Sequence, residues 1–235
     1  MEHPHLKATR ILDFHMPDVQ ELLKSVPQTG SSRVDLQLAH QAIAEQVLPI
    51  YTVHEWQPAS VTLRKGKGSC SQRIACLEAF ARARNIPTRV RALWVSGTFW
   101  NARFPWTKWA IPRRILLIWP QFGLEEGWLD LDELYASTEQ RISEQAPAFS
   151  NTGETLFEAL THSNMDFLGK GCEAGLCPLD QSLSRFVLEQ GKWYACRDDL
   201  LTELGSFQDS LRGRMFEWIY GQRPSVVSQP SKPAG

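Results

Sequence analysis

The chain has 235 residues, with 25 basic and 26 acidic side chains; a net charge of −1 offers no global field for nucleic acid or an anionic membrane. Hydrophobic residues at 43% and charged residues at 22% are the composition of a soluble globular chain long enough to bury a core. Nine tryptophans point to deep apolar packing or an aromatic-lined pocket. No basic stretch followed by an apolar run opens the chain, and the longest apolar run, Ile115 to Trp119, is too short to span a bilayer. Five cysteines are an odd number without the density of a disulfide scaffold. The expectation is a cytoplasmic protein with reduced thiols and with neither a membrane nor a nucleic-acid partner.

In chain order, Met16 to Val26 reads as a short helix with Pro17 in its first turn. Leu36, Ala39, Ile43 and Val47 recur at helical spacing until Pro49. An irregular stretch, "IYTVHEWQP", precedes a helix that opens at Cys70 and aligns Cys70, Ile74, Leu77 and Ala81 on one face. Pro87 ends it, and "TRVRALWV" follows as a strand. A long aromatic loop from Gly97 to Pro112 leads to "RILLIWPQF", apolar enough for a central strand, and then to "WLDLDEL", read as an alternating strand with Asp132 inward and Asp130 outward. Beyond Tyr135 the pattern is helical and loose: "GETLFEAL" is a short helix, "GKGCEAGLCP" a loop, and Phe207, Leu211, Met215 and Trp218 mark a last amphipathic helix. The Pro/Ser-rich tail, residues 222–235, carries no core pattern and is expected to be disordered. The order of elements gives one α+β domain over residues 1–221.

Cys70 follows a Gly-Lys-Gly-Ser turn at a helix start. Unpaired N–H groups and the positive end of the helix dipole there favour a thiolate and can hold the oxyanion formed when it attacks a carbonyl. A depressed thiol pKa is therefore expected. "GSCSQRIACLEAFARARNIPTRVRAL" resembles the cysteine motif of the transglutaminase-like superfamily, in which a Gly-x-Cys turn opens a helix that ends in "GIP" and enters a strand. In that family the next strand carries a His followed two residues later by Trp, and a Gly-Trp-x-x-x-Asp segment comes after it. Trp119, Gly127-Trp128 and Asp132 match, and "ATRILDFHMPDVQELL" resembles the start of a bacterial branch, so the likeness covers Ala8 to Tyr135. It implies a papain-related α+β fold, with a cysteine helix packed on a small antiparallel sheet and extra N- and C-terminal helices. It also implies thiol-dependent acyl chemistry without a cofactor, on a small-molecule or peptide acyl substrate.

The position matching the family histidine is Leu117, and no histidine lies between Arg114 and Gln121. Leucine cannot take a thiol proton and return it to a leaving group. Three readings follow. Another histidine replaces it, with His54 the best placed and His162 and His40 behind it. Alternatively, Cys70 attacks an acyl group activated enough to need no strong base, such as a thioester. Or catalysis is gone and the fold serves as a binding or scaffold protein; a non-hydrolytic biosynthetic enzyme, catalysing a rearrangement or condensation in the same pocket, is a further alternative. The expected site is Cys70 as nucleophile, Asp132 orienting, His54 as base, and Trp119, Trp100 and Trp106 against substrate. The basic and aromatic loop suits a lid over an apolar groove better than a nucleic-acid surface. Cys172, Cys177, Cys196 and His162 are too irregularly spaced for a zinc site, so no metal is expected.

Overall fold

The computed structural model describes residues 3–135, 149, 151–163 and 183–225. Among these the chain is α+β, with seven α-helices and a curled four-stranded antiparallel sheet. Helix α1 (Pro17–Ser25) starts on Pro17, and α2 (Ser32–Gln46) on the Ser31 hydroxyl, which accepts from the Val34 amide. Strand β1 (Leu48–Pro49) pairs in parallel with β2 (Lys67–Gly68), and α3 (Ala59–Lys65) lies between them in the chain. Next comes α4 (Cys70–Ala83), then β3 (Thr88–Ser96), β4 (Arg114–Leu124) and β5 (Gly127–Asp130). Helix α5 (Leu156–Ala159), strand β6 (Val187–Tyr194), α6 (Arg197–Leu204) and α7 (Leu211–Tyr220) complete the described chain.

The sheet order is β5-β4-β3-β6. The run "RILLIWPQF" is interior as its apolarity implies, because β4 is paired on both sides. Its register sets Leu117 opposite Leu93 and Trp119 opposite Arg91. Strand β6 pairs with the other edge of β3 with two register shifts, which bend the sheet.

Helix α4 touches α1, α2, α3, β3 and β4. Ile74, Leu77 and Ala81, the face expected from spacing, are buried. So are Arg73, Glu78 and Arg82, because α4 is covered on nearly every side from Gln72 to Arg82. A helix in this position carries its charges into the interior, where each needs a partner.

Three elements differ from the sequence reading. Strand β6 falls in a stretch read as helical; its exposed polar face and internal Gly191 leave no clean alternation. Helix α3, "ASVTLRK", is only seven residues long and carries the β-branched pair Val61 and Thr62 at its centre, so neither periodicity nor propensity marks it. The third correction concerns the acids after Trp128: β5 stops at Asp130, and Leu131–Glu133 turn into a 3₁₀ segment. Strand alternation no longer applies there, and Asp130 is buried alongside Asp132 rather than facing out. Of the expected tail, Pro224 bridges Ile50 and the Ser225 amide donates to the Pro49 carbonyl. Residues 226–235, and the segment carrying Cys172 and Cys177 that the sequence reads as a loop, lie outside the described residues. None of the helices described is long and apolar enough to cross a membrane.

Candidate active site

The Gly-Lys-Gly-Ser turn before Cys70 is explained by backbone geometry. Gly66 ends α3 in the left-handed region, at φ 59° and ψ 22°. Gly68 is needed for space: a Cβ there would stand 2.7 Å from Thr62 Cγ2. Ser69 then caps α4. Its hydroxyl accepts from the Gln72 amide at 3.2 Å, while Gln72 Oε1 accepts from the Ser69 amide at 3.0 Å. The Gln72 side-chain nitrogen also donates to the His54 carbonyl at 2.8 Å, which ties the preceding loop to the helix start. Cys70 is thereby fixed at the first helical position.

That position opens on a cavity of about 480 Å³, a volume suited to a small ligand. Its walls are largely apolar and aromatic, with Tyr51, Trp94, Trp100, Phe104, Leu117 and Phe216 among them. Cys70, Ser71 and Glu55 bring polar groups to the same cavity, as do Thr155 and Asn151. The Arg103 guanidinium lies at the wall but is spent on structure: it donates to Asn151 Oδ1 at 3.0 Å, to the Tyr51 hydroxyl at 3.1 Å and to the carbonyls of Ser225 and Glu154.

The thiol is not activated in the resting site. Burial, reinforced by the negative charge of Glu158, pushes the Cys70 pKa up to about 12. Arg73, the Phe157 backbone and the Thr155 hydroxyl pull the other way but do not prevail. This reverses the depressed pKa expected from the helix start: desolvation of the sulfur outweighs the partial charge of the helix end.

Glu158 is bound to the wholly buried Arg73, and Arg73 also lies over the Phe157 ring at 4.2 Å. Burial opposes ionisation of Glu158, yet Arg73 and Thr155 hold its carboxyl below the usual range. A second buried pair, Arg197 Nε to Glu78 Oε1 at 2.6 Å, braces the opposite side of α4. Arg197 Nη1 reaches on to the Ser71 hydroxyl at 2.9 Å, and Ser71 donates to Glu55 Oε2 at 2.6 Å.

The structure brings some of the expected residues together and not others. Cys70, Leu117, Trp119 and Trp100 all line the cavity. Trp106 does not; its side chain is 91% exposed. His54 points its ring elsewhere: more than half exposed, it lies 3.5 Å from Glu217 Oε1 and forms no part of the cavity wall. His162 is held by Glu154 and is likewise outside the wall. His40 is buried behind the site, its Nε2 donating to the Phe157 carbonyl at 2.8 Å and its Nδ1 lying 3.0 Å from the Tyr135 hydroxyl, which also reaches the Gln37 carbonyl at 3.2 Å. Asp132 is buried but is not a wall residue. Among the described residues, no imidazole lines the cavity, and no group of three His, Cys, Asp or Glu side chains could hold a metal ion.

The residues missed in the sequence are Glu55, Thr155 and the Arg73–Glu158 pair. One signal was present: Thr155 and Glu158 have capping-box spacing, and the Thr155 amide does donate to Glu158 Oε2 at 3.1 Å. Glu55 carries no local pattern; only the fold of the β1–α3 loop takes it to the cavity.

Neither a family model, a curated protein nor a solved structure matches the chain. The chemistry of the cavity therefore rests on its own side chains.

Proposed function

We propose that the cavity binds an apolar acyl compound and that Cys70 accepts its acyl group, as the nucleophile of an atypical transglutaminase-like site in which Leu117 stands where the family has histidine. One observation carries this reading: a cysteine fixed at the first position of a capped helix lies on the wall of a largely apolar cavity with several aromatic side chains. The helix-start amides there are oriented to hold an oxyanion. The apolar walls favour a substrate with a hydrocarbon or aromatic acyl chain. The raised thiol pKa means that attack proceeds from the S–H form, with the proton removed as the S–C bond forms, and suits a good leaving group such as a thiolate.

The test is incubation with the octanoyl thioester of N-acetylcysteamine, followed by peptide mass spectrometry. An octanoyl adduct on Cys70, absent from a folded Cys70→Ser variant, is the expected result. A second reading, a binding pocket without chemistry, is favoured by Leu117 and by the protonated thiol. Saturable binding of the probe with no adduct on Cys70 would select it.

A further inference from the structure

Among the described residues, Glu55 and Asp209 are the carboxylic acids on the wall of the cavity that holds the thiol, and neither forms an ion pair with a described cation. Glu158, near Cys70, is bound to Arg73, and Glu78 to Arg197. Asp209, also on the wall, belongs to the segment before α7, on the far side from the cysteine helix in the chain. Glu55 instead receives a hydrogen bond from the hydroxyl of Ser71, the residue covalently joined to Cys70. The direction of that bond is set by the next residue in the line. Arg197 Nη1 donates to Ser71 Oγ, so the Ser71 proton is left to go to Glu55 Oε2. Oε1 takes no hydrogen bond among the described residues, and Glu55 is a wall residue of the cavity.

From this arrangement we infer that Glu55 is the proton-transfer residue of the Cys70 site, occupying chemically the place that Leu117 vacates. The inference rests on the acyl-transfer reading above. In the first half-reaction the Glu55 carboxylate takes the thiol proton as the Cys70 sulfur bonds to the acyl carbon; the proton passes to the leaving thiolate as the C–S bond of the substrate breaks. In the second, Glu55 takes a proton from water or an alcohol or amine acceptor, the acceptor bonds to the acyl carbon, the acyl–Cys70 bond breaks and the proton returns to sulfur. Atoms and charge balance over the cycle, with no further reactant.

Two features suit Glu55 to the task. Burial raises its proton affinity, against the opposing pull of Ser71 and Arg197, which narrows the gap to a thiol. Its surroundings also limit interference: Arg197 on α6 is the charge that faces it, through Ser71, while Glu217 on α7 is engaged by Thr52, Val53 and His54 of the adjoining loop. Glu55 and Arg197 with Ser71 between them form an acid–base group held in one orientation from behind.

The test compares wild type, Glu55→Gln and Glu55→Asp with the octanoyl thioester, measuring the rate of Cys70 acylation from pH 5 to 9 and the concentration dependence of that rate. Glu55→Gln can still accept from Ser71. It should acylate about a hundredfold more slowly, the range for loss of a general acid–base. Its half-saturating thioester concentration should stay within threefold of wild type, and the acid limb of the pH profile should disappear. Glu55→Asp should recover part of the rate and restore that limb. Acylation of Glu55→Gln within threefold of wild type, with the acid limb intact, would overturn the assignment while leaving Cys70 as nucleophile. A wild type that forms no acyl-Cys70 overturns the parent reading and this one with it.

Discussion

The wholly buried Arg73 guanidinium donates to the Glu158 carboxylate, and this pair sits beside the Cys70 sulfur with its negative member raising the thiol pKa. The pair is thus both a structural tie between α4 and α5 and part of the reason the thiol is protonated. Glu158→Gln removes the negative charge and leaves Arg73 buried without its counter-ion, which costs about 3 kcal/mol by the usual penalty for breaking a buried pair. The same change should lower the apparent pKa of Cys70, since a cation now faces the sulfur alone. Iodoacetamide alkylation of Cys70 followed against pH checks this. Wild type should react slowly and ever faster up to pH 10, without a plateau, and Glu158→Gln should react faster at every pH. An unchanged profile in a folded variant would show that Glu158 does not act on the thiol.

Leu117 on β4 lines the same cavity as Cys70, so a side chain at position 117 and the thiol share one enclosure of wall residues. Leu117→His should therefore add an imidazole base to the one that Glu55 provides. General-base assistance is worth about 10²–10⁴ in rate, so at pH 8 acylation of Cys70 by the octanoyl thioester should rise at least tenfold. Placing an imidazole in a largely apolar wall should lower stability by about 1–3 kcal/mol, read from urea midpoints. A stable variant with no gain in acylation would show that position 117 does not address the sulfur.

How much of this was legible in the sequence follows the range of each signal. The start of α4 at Cys70, the two central strands and the apolar run of β4 are local patterns of periodicity and turn chemistry, and all of them read correctly. Leu117 and Trp119 enter the expected site through the motif resemblance, and both line the cavity. The state of the thiol was not legible, because the helix end is a local feature while desolvation depends on Thr155, Phe157 and Glu158, about 85 residues away in the chain. His54 was chosen for its place before the cysteine turn. The loop that holds it turns Glu55 to the cavity and leaves His54 with Glu217, a choice that the α7 contact makes and no local pattern encodes.

Gly68 tests the packing that sets Cys70 in place. An added Cβ would meet Thr62 Cγ2 at 2.7 Å and Gln72 Oε1 at 3.1 Å, and both groups belong to helices that cannot retreat independently. Gly68→Ala should cost about 1–3 kcal/mol as an overpacked site. Thr62→Ser removes the methyl that clashes, so the double variant Gly68→Ala/Thr62→Ser should recover at least half of the loss beyond additivity. Strict additivity of the two single effects would place the strain elsewhere.

His40 makes stability depend on pH in a defined window. Burial, opposed by its bond to the Phe157 carbonyl, lowers its pKa from 6.5 to about 4. The unfolded chain therefore binds a proton near pH 6.5 that the folded chain refuses until about pH 4. The folded state has its full stability above pH 6.5 and loses it as pH falls through the interval to 4, by about 3 kcal/mol in all at about 1.36 kcal/mol per unit. Between pH 7.5 and 5 the drop from this one group should be about 2 kcal/mol in urea unfolding. His40→Gln, which can still donate to the Phe157 carbonyl, has no proton to refuse. Its stability should fall by about 2 kcal/mol less than that of wild type over the same range, and equal falls in the two proteins would rule His40 out as the acid-sensitive group.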